Sequence, residues 1–156
     1  MKNILRHNRI AVGFVVAAML TLSLVAYGQI ARPFRSGSVW QISFIQMKPG
    51  MDTAYLNYLA GQWKANQEAS KKEGLILSYK VLTVEGHTPG EWNVMLMTEY
   101  KNLAAMEANE DKADALAQKV VGDDEKQRQG YRERLEIREV MGDRLAREIM
   151  LEPKSK

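Results

Sequence analysis

Val39-Trp40-Gln41-Ile42-Ser43-Phe44-Ile45-Gln46-Met47 is the stretch on which the fold of this chain turns. Trp40, Ile42 and Phe44 fall on one side of a period-two alternation. Val39, Ile45 and Met47 fall on the other, beside Gln41 and Ser43. The stretch is therefore a strand with large apolar side chains on both faces, ended by Lys48-Pro49-Gly50. A strand of that kind needs cover front and back.

Downstream of it, Asp52 is placed to cap a helix, because its carboxylate can accept free backbone N–H groups of the first turn. Tyr55, Leu56, Leu59 and Trp63 recur at helical spacing, and Gly74 stops the helix after Lys71 and Lys72. Ile76 to Val84 is rich in β formers and predicts a second strand. Glu85-Gly86-His87-Thr88-Pro89-Gly90 predicts a turn, and Trp92 to Thr98 a third strand that completes a hairpin. Asn102 opens a second helix with Leu103, Met106, Ala113, Leu116 and Val120 along one stripe and Gly122 as its stop. Asp124 with Gln127 resembles a capping box for a third helix, which carries Tyr131, Leu135, Ile137 and Val140 and halts at Gly142. Leu145 to Leu151 predicts a fourth strand. The order β-α-β-β-α-α-β predicts an α+β chain: a ferredoxin-like βαββαβ fold with a four-stranded antiparallel sheet and all helices on one face.

A sheet face left to water should alternate toward polar residues. Here neither face does. Trp92, Val94 and Leu96 oppose Met95 and Met97 in the third strand, and Leu77, Tyr79 and Val81 oppose Ile76, Leu82 and Val84 in the second. Each large side chain left exposed forgoes about 1.5–3 kcal/mol relative to full burial. The simplest cover for the free face is the same face of a second copy, so the expected partner is the chain itself, in a homodimer.

This order, with Lys48-Pro49-Gly50 leading into Tyr55, Trp63-Lys64, Lys72-Glu73-Gly74 and a strand at Tyr79, resembles the dimeric α/β-barrel superfamily. That group includes NIPSNAP-type and stress-responsive A/B-barrel domains, antibiotic-biosynthesis-type monooxygenases and haem-degrading relatives. The resemblance spans residues 39–151 and implies a dimeric α/β barrel. The activities it implies range from cofactor-free oxygenase and isomerase chemistry to none known.

Ahead of the domain, a basic head (Lys2, Arg6, Arg9), an uncharged apolar run from Ile10 to Ala26 and the small-residue exit Ala26-Tyr27-Gly28 have the layout of a secretory signal peptide. The run is at the short end of what spans a membrane, about 20 residues. Residues 1–28 are thus expected to direct export, to the periplasm or outside, and either to be cleaved or to stay as an N-terminal membrane anchor. Residues 29–38, with Pro33, Gly37 and two serines, predict a flexible linker, and residues 152–156 a polar tail. The net charge of +3 equals the three basic residues of the head, so the remainder has as many acidic as basic residues. The concentrated basic footprint of a nucleic-acid binder is missing. The chain has no cysteine, so packing or association, not disulfides, must stabilise it.

Gln41, Ser43 and Asn93 are polar residues in strands otherwise dressed for burial. They lie away from Trp40 and Phe44 in the first strand and from Trp92 and Leu96 in the third. Buried polar groups need partners, and apolar walls with a few aimed polar groups are the usual form of a small-molecule site. Together with Tyr79, Met95 and Met97 they form the candidate lining of a cavity for a small, largely apolar molecule. A satisfied dimer seam without ligand explains the same residues. A cofactor-free oxygenase or isomerase would use Tyr79, Trp63 or Asn93 to orient its substrate. No catalytic residue can be named, and no cofactor is expected. Trp63 completes the Tyr55–Leu59–Trp63 stripe and so reads as a core aromatic. His87 reads as a solvated turn residue. Asp123-Asp124-Glu125 is better explained by helix capping than as a metal site.

Overall fold

A computed structural model describes residues 32–85, 88 and 90–152 of the chain. The segment 1–28 and His87 lie outside the described residues. Among the described residues, no helix is long and apolar enough to cross a membrane. Residues 36–150 form one compact unit, and the described end residues belong to a second, small one. In the latter, Arg35 pairs with Glu152, whose backbone N–H donates to the Pro33 carbonyl at 2.8 Å.

The elements run β1 (Phe34–Met47), α1 (Asp52–Tyr58), a π-helical turn (Leu59–Trp63), α2 (Lys64–Lys72), β2 (Ser78–Thr83) and β3 (Val94–Tyr100). Then follow α3 (Leu103–Ala108), α4 (Glu110–Val120), α5 (Asp124–Leu135) and β4 (Arg138–Leu151). The sheet has the order β2-β3-β1-β4, with β3 antiparallel to both of its neighbours. This is the ferredoxin-like α+β fold the sequence predicts: the hairpin β2–β3 sits to one side of β1, and β4 returns along the other.

Register decides which residues share a face. Ile45 pairs with Val94, Ser43 with Leu96 and Gln41 with Thr98, and across the hairpin these rows continue to Thr83, Val81 and Tyr79. The apolar end of this face meets the helices: Ile45, Val94, Tyr55 and Leu59 form the buried core, with Met47, Tyr58, Trp63, Leu96, Ile137 and Val140 packed on it. The opposite face has the rows Leu82–Met95–Phe44, Lys80–Met97–Ile42 and Ser78–Glu99–Trp40. Trp92 stands edge-on to Phe44 at 5.0 Å, and the Lys80 ammonium lies 5.0 Å over Trp40. Leu82 is 48 % exposed on this side.

Four sequence expectations are corrected. Residues 34–38 are strand, not linker. Gly37 is there because a Cβ would lie 3.0 Å from that of Glu148, so the small residue marks close strand approach. The third helix ends at Leu135, and residues 138–141 belong to β4, where Arg138 and Val140 alternate inward. Gly142, at φ +154, sits within that strand and stops no helix. Asp52 is the first residue of α1 and makes no cap bond; at the start of α5 the cap is Asp123, whose Oδ1 accepts the Lys126 N–H at 2.9 Å.

Candidate functional site

A cavity of about 260 Å³ lies between the helix-side face of the sheet and the α1 and α5 helices. Ser43 and Leu96 form part of its sheet wall. Tyr55, Tyr58 and Trp63 descend from α1 and the π turn, and Tyr131 from α5. A wider cleft of about 390 Å³ between the helices shares Tyr58, Trp63 and Tyr131 as walls and adds Asn66 and Arg134. The π turn matters locally. It widens the helix at Leu59–Trp63, so that Tyr55 and Leu59 stay in the core while Trp63 reaches Tyr79, edge-on at 5.3 Å.

Two guanidinium groups serve this aromatic box. Arg138, the first residue of β4, is only 7 % exposed, and its Cζ lies 5.7 Å from the Tyr55 ring and 5.6 Å from that of Tyr131. Its Nε and Nη1 are buried without a hydrogen-bond partner. Arg134 lies 4.6 Å from the Tyr58 ring and 6.0 Å from Tyr131, and its Nε is likewise unpartnered. The ion pairs seen among the described residues, Arg35–Glu152, Arg128–Glu125 and Arg132–Glu125, involve neither. Burial pushes the Tyr55 phenol up to about 12, against a smaller opposing pull from the Arg138 charge. Asp143 also lines the cavity and accepts a hydrogen bond from the Ser43 hydroxyl.

The six residues expected to line a site are divided by the structure. Gln41, Ser43 and Tyr79 share the helix-side face, but only Ser43 reaches the cavity. Gln41 accepts from the Tyr100 hydroxyl at 3.2 Å, and Tyr79 donates to Glu68, a bond that raises the Tyr79 phenol above its ordinary range. Asn93 is buried: its Oδ1 accepts the Met47 N–H at 2.8 Å, its backbone N–H donates to the Ile45 carbonyl, and its carbonyl accepts from the Val84 N–H. It staples the ends of three strands and does not line the cavity. Met95 and Met97 lie on the opposite face, with Phe44 and Ile42. The expectation placed Trp92 and Leu96 with Trp40 and Phe44; Trp92, ahead of β3, does stand against Phe44, but Leu96 pairs with Ser43 on the other face, and a slip of one residue between β1 and β3 exchanges every strand side chain between faces. Arg138, Tyr131, Arg134 and Asp143 were missed as site residues. The alternation of Arg138 with Val140 was the available signal, hidden by a helix carried too far toward Gly142.

Asp123 and Glu125, the acidic run considered above, are engaged in capping and in pairing with Arg128 and Arg132. No group of acidic, histidine or cysteine side chains spaced to hold a metal occurs among the described residues.

No family model matches the chain, and no curated protein matches it. Among solved structures it is similar to HapK from Hahella chejuensis, at 9% identity and a TM-score of 0.47, over 76% of this chain and 99% of that one. It is also similar to a dimeric ferredoxin-like protein from an uncultured marine organism, at 9% identity and a TM-score of 0.48, over 77% and 93%. A third is a dimeric protein of unknown function and ferredoxin-like fold from Bacteroides fragilis, at 18% identity and a TM-score of 0.38, over 76% and 98%.

Proposed function

We propose that this chain is an exported, homodimeric binding protein that takes a small, largely apolar molecule into the space between its sheet and its helices. The cavity supports this. Four aromatic side chains and Leu96 wall it, and Ser43, Asp143 and Arg138 supply a few polar groups, the composition usual for a site that binds and orients a small molecule. Export rests on the basic head and apolar run before residue 29. Dimerisation rests on the free sheet face, where Ile42, Phe44, Met95 and Met97 adjoin the half-exposed Leu82.

The test is a thermal-shift titration with a panel of one- and two-ring aromatic compounds. Binding raises the melting temperature progressively with concentration, by the equivalent of about 2.7 kcal/mol at a hundredfold excess over Kd. Val140→Phe, which fills the cavity from β4, abolishes the shift. If no compound in the panel moves the transition, or if the filled variant responds as the parent does, the cavity is not a binding site.

A further inference from the structure

We infer that the cavity takes an anion, specifically an aromatic molecule bearing one carboxylate, and that Arg138 is the residue that holds its charge. The inference rests on the small-molecule reading above and specifies its chemistry. Three observations converge. Arg138 is more than nine-tenths buried, lines the cavity and leaves Nε and Nη1 without acceptors. A buried cation with unanswered donors is among the least tolerated arrangements in a protein interior, and a complementary anion removes the penalty. The Tyr55 and Tyr131 rings engage the charge through their faces but offer no acceptor to its N–H groups.

The second observation is Arg134. Its Nε is also unanswered, and it approaches Tyr131 from the adjoining cleft, so the Tyr131 ring is approached by two cations. The local field therefore favours negative charge at the Tyr131 end. The third is Asp143, the one carboxylate on the cavity wall. It holds the Ser43 hydroxyl and forms no ion pair with Arg138. That places the ligand's charge at the Arg138 end and its neutral part toward Leu96 and Trp63. The aromatic walls select a flat, apolar body, and a guanidinium suits a planar carboxylate.

The experiment compares 2-naphthoate with its neutral isostere 2-naphthamide, titrated calorimetrically into the full chain and into R138M, R138K and D143N. The acid is expected to bind the parent at least tenfold tighter than the amide. R138M loses that preference, R138K keeps part of it, and D143N strengthens the acid by removing the opposing charge. If the parent binds both compounds equally, the assignment of charge is wrong although the cavity still binds small molecules. If neither binds, the cavity reading fails and this inference with it. If D143N alone makes the acid bind, Asp143 is the resting counter-ion of Arg138 and the inference is overturned. Should R138M not fold, the acid-to-amide ratio of R138K against the parent decides: an unchanged ratio in both R138K and D143N refutes the role of Arg138.

Discussion

Asn93 shows how a polar residue in an apolar strand can be structural. Its side-chain oxygen answers the Met47 N–H, and its backbone answers Ile45 and Val84, so β1, β2 and β3 are joined where the strands end. Asn93→Ala leaves the part-buried Met47 N–H without its partner and should cost about 1 kcal/mol, read as a lower denaturant midpoint. Tyr55 makes a second prediction. Its phenol rises from 10.0 to about 12 because burial disfavours the phenolate. The folded state thus holds this proton more tightly than the unfolded chain does. Its contribution is whole below pH 10 and drains away as pH climbs toward 12. Denaturant curves at about pH 9 and about pH 11 should show the loss, and Tyr55→Phe should show less of it. An equal loss in both proteins would assign the alkaline sensitivity elsewhere.

At the scale of elements, β4 was the hardest to read and is the most consequential. Its sequence runs from Arg138 to Leu151 through a glycine at φ +154, and a glycine after a charged, helix-like stretch imitates a helix stop. The structure uses that glycine inside a strand, where an L side chain is strained. Gly142→Ala should therefore destabilise by about 1–3 kcal/mol, measurable as a lower melting temperature, whereas a helix stop by Gly142 would have left the strand untouched. Two of the three caps were legible to within a residue, Asp52 being the exception: Asn102 was identified directly, its Oδ1 accepting the Ala105 N–H at 2.7 Å, while Asp123 takes the place assigned to Asp124. Asp123→Ala should cost about 1 kcal/mol and fray the start of α5, next to Lys126, Gln127 and Tyr131 of the adjoining cleft.

For the whole molecule, element order and the two-faced character of the sheet were legible because alternation and turn chemistry are local. The site was not, because it depends on the register between β1 and β3. Those strands are neighbours in space but are not joined by a turn, so nothing local fixes their offset. Tyr131 and Arg138 also reach one cavity from different elements, a convergence no spacing along the chain announces. The free face permits one prediction at this scale. If two copies close over Phe44, Met95 and Met97, then Met97→Glu places like charges at the seam and should convert a dimer-sized particle to a single-chain one in light scattering. A parent protein that already scatters as one chain at micromolar concentration would refute the association.

The π turn at Leu59–Trp63 carries an arithmetic of its own. One surplus residue per turn is the signature of an insertion into a regular helix, each residue of which advances about 100° around its axis. Excising Gly61 would therefore leave a smoother and locally better-bonded rod. Because the wide turn absorbs that step, Trp63 and the residues up to Lys72 would keep nearly their present direction, so a shorter cousin could retain both the scaffold and its aromatic wall.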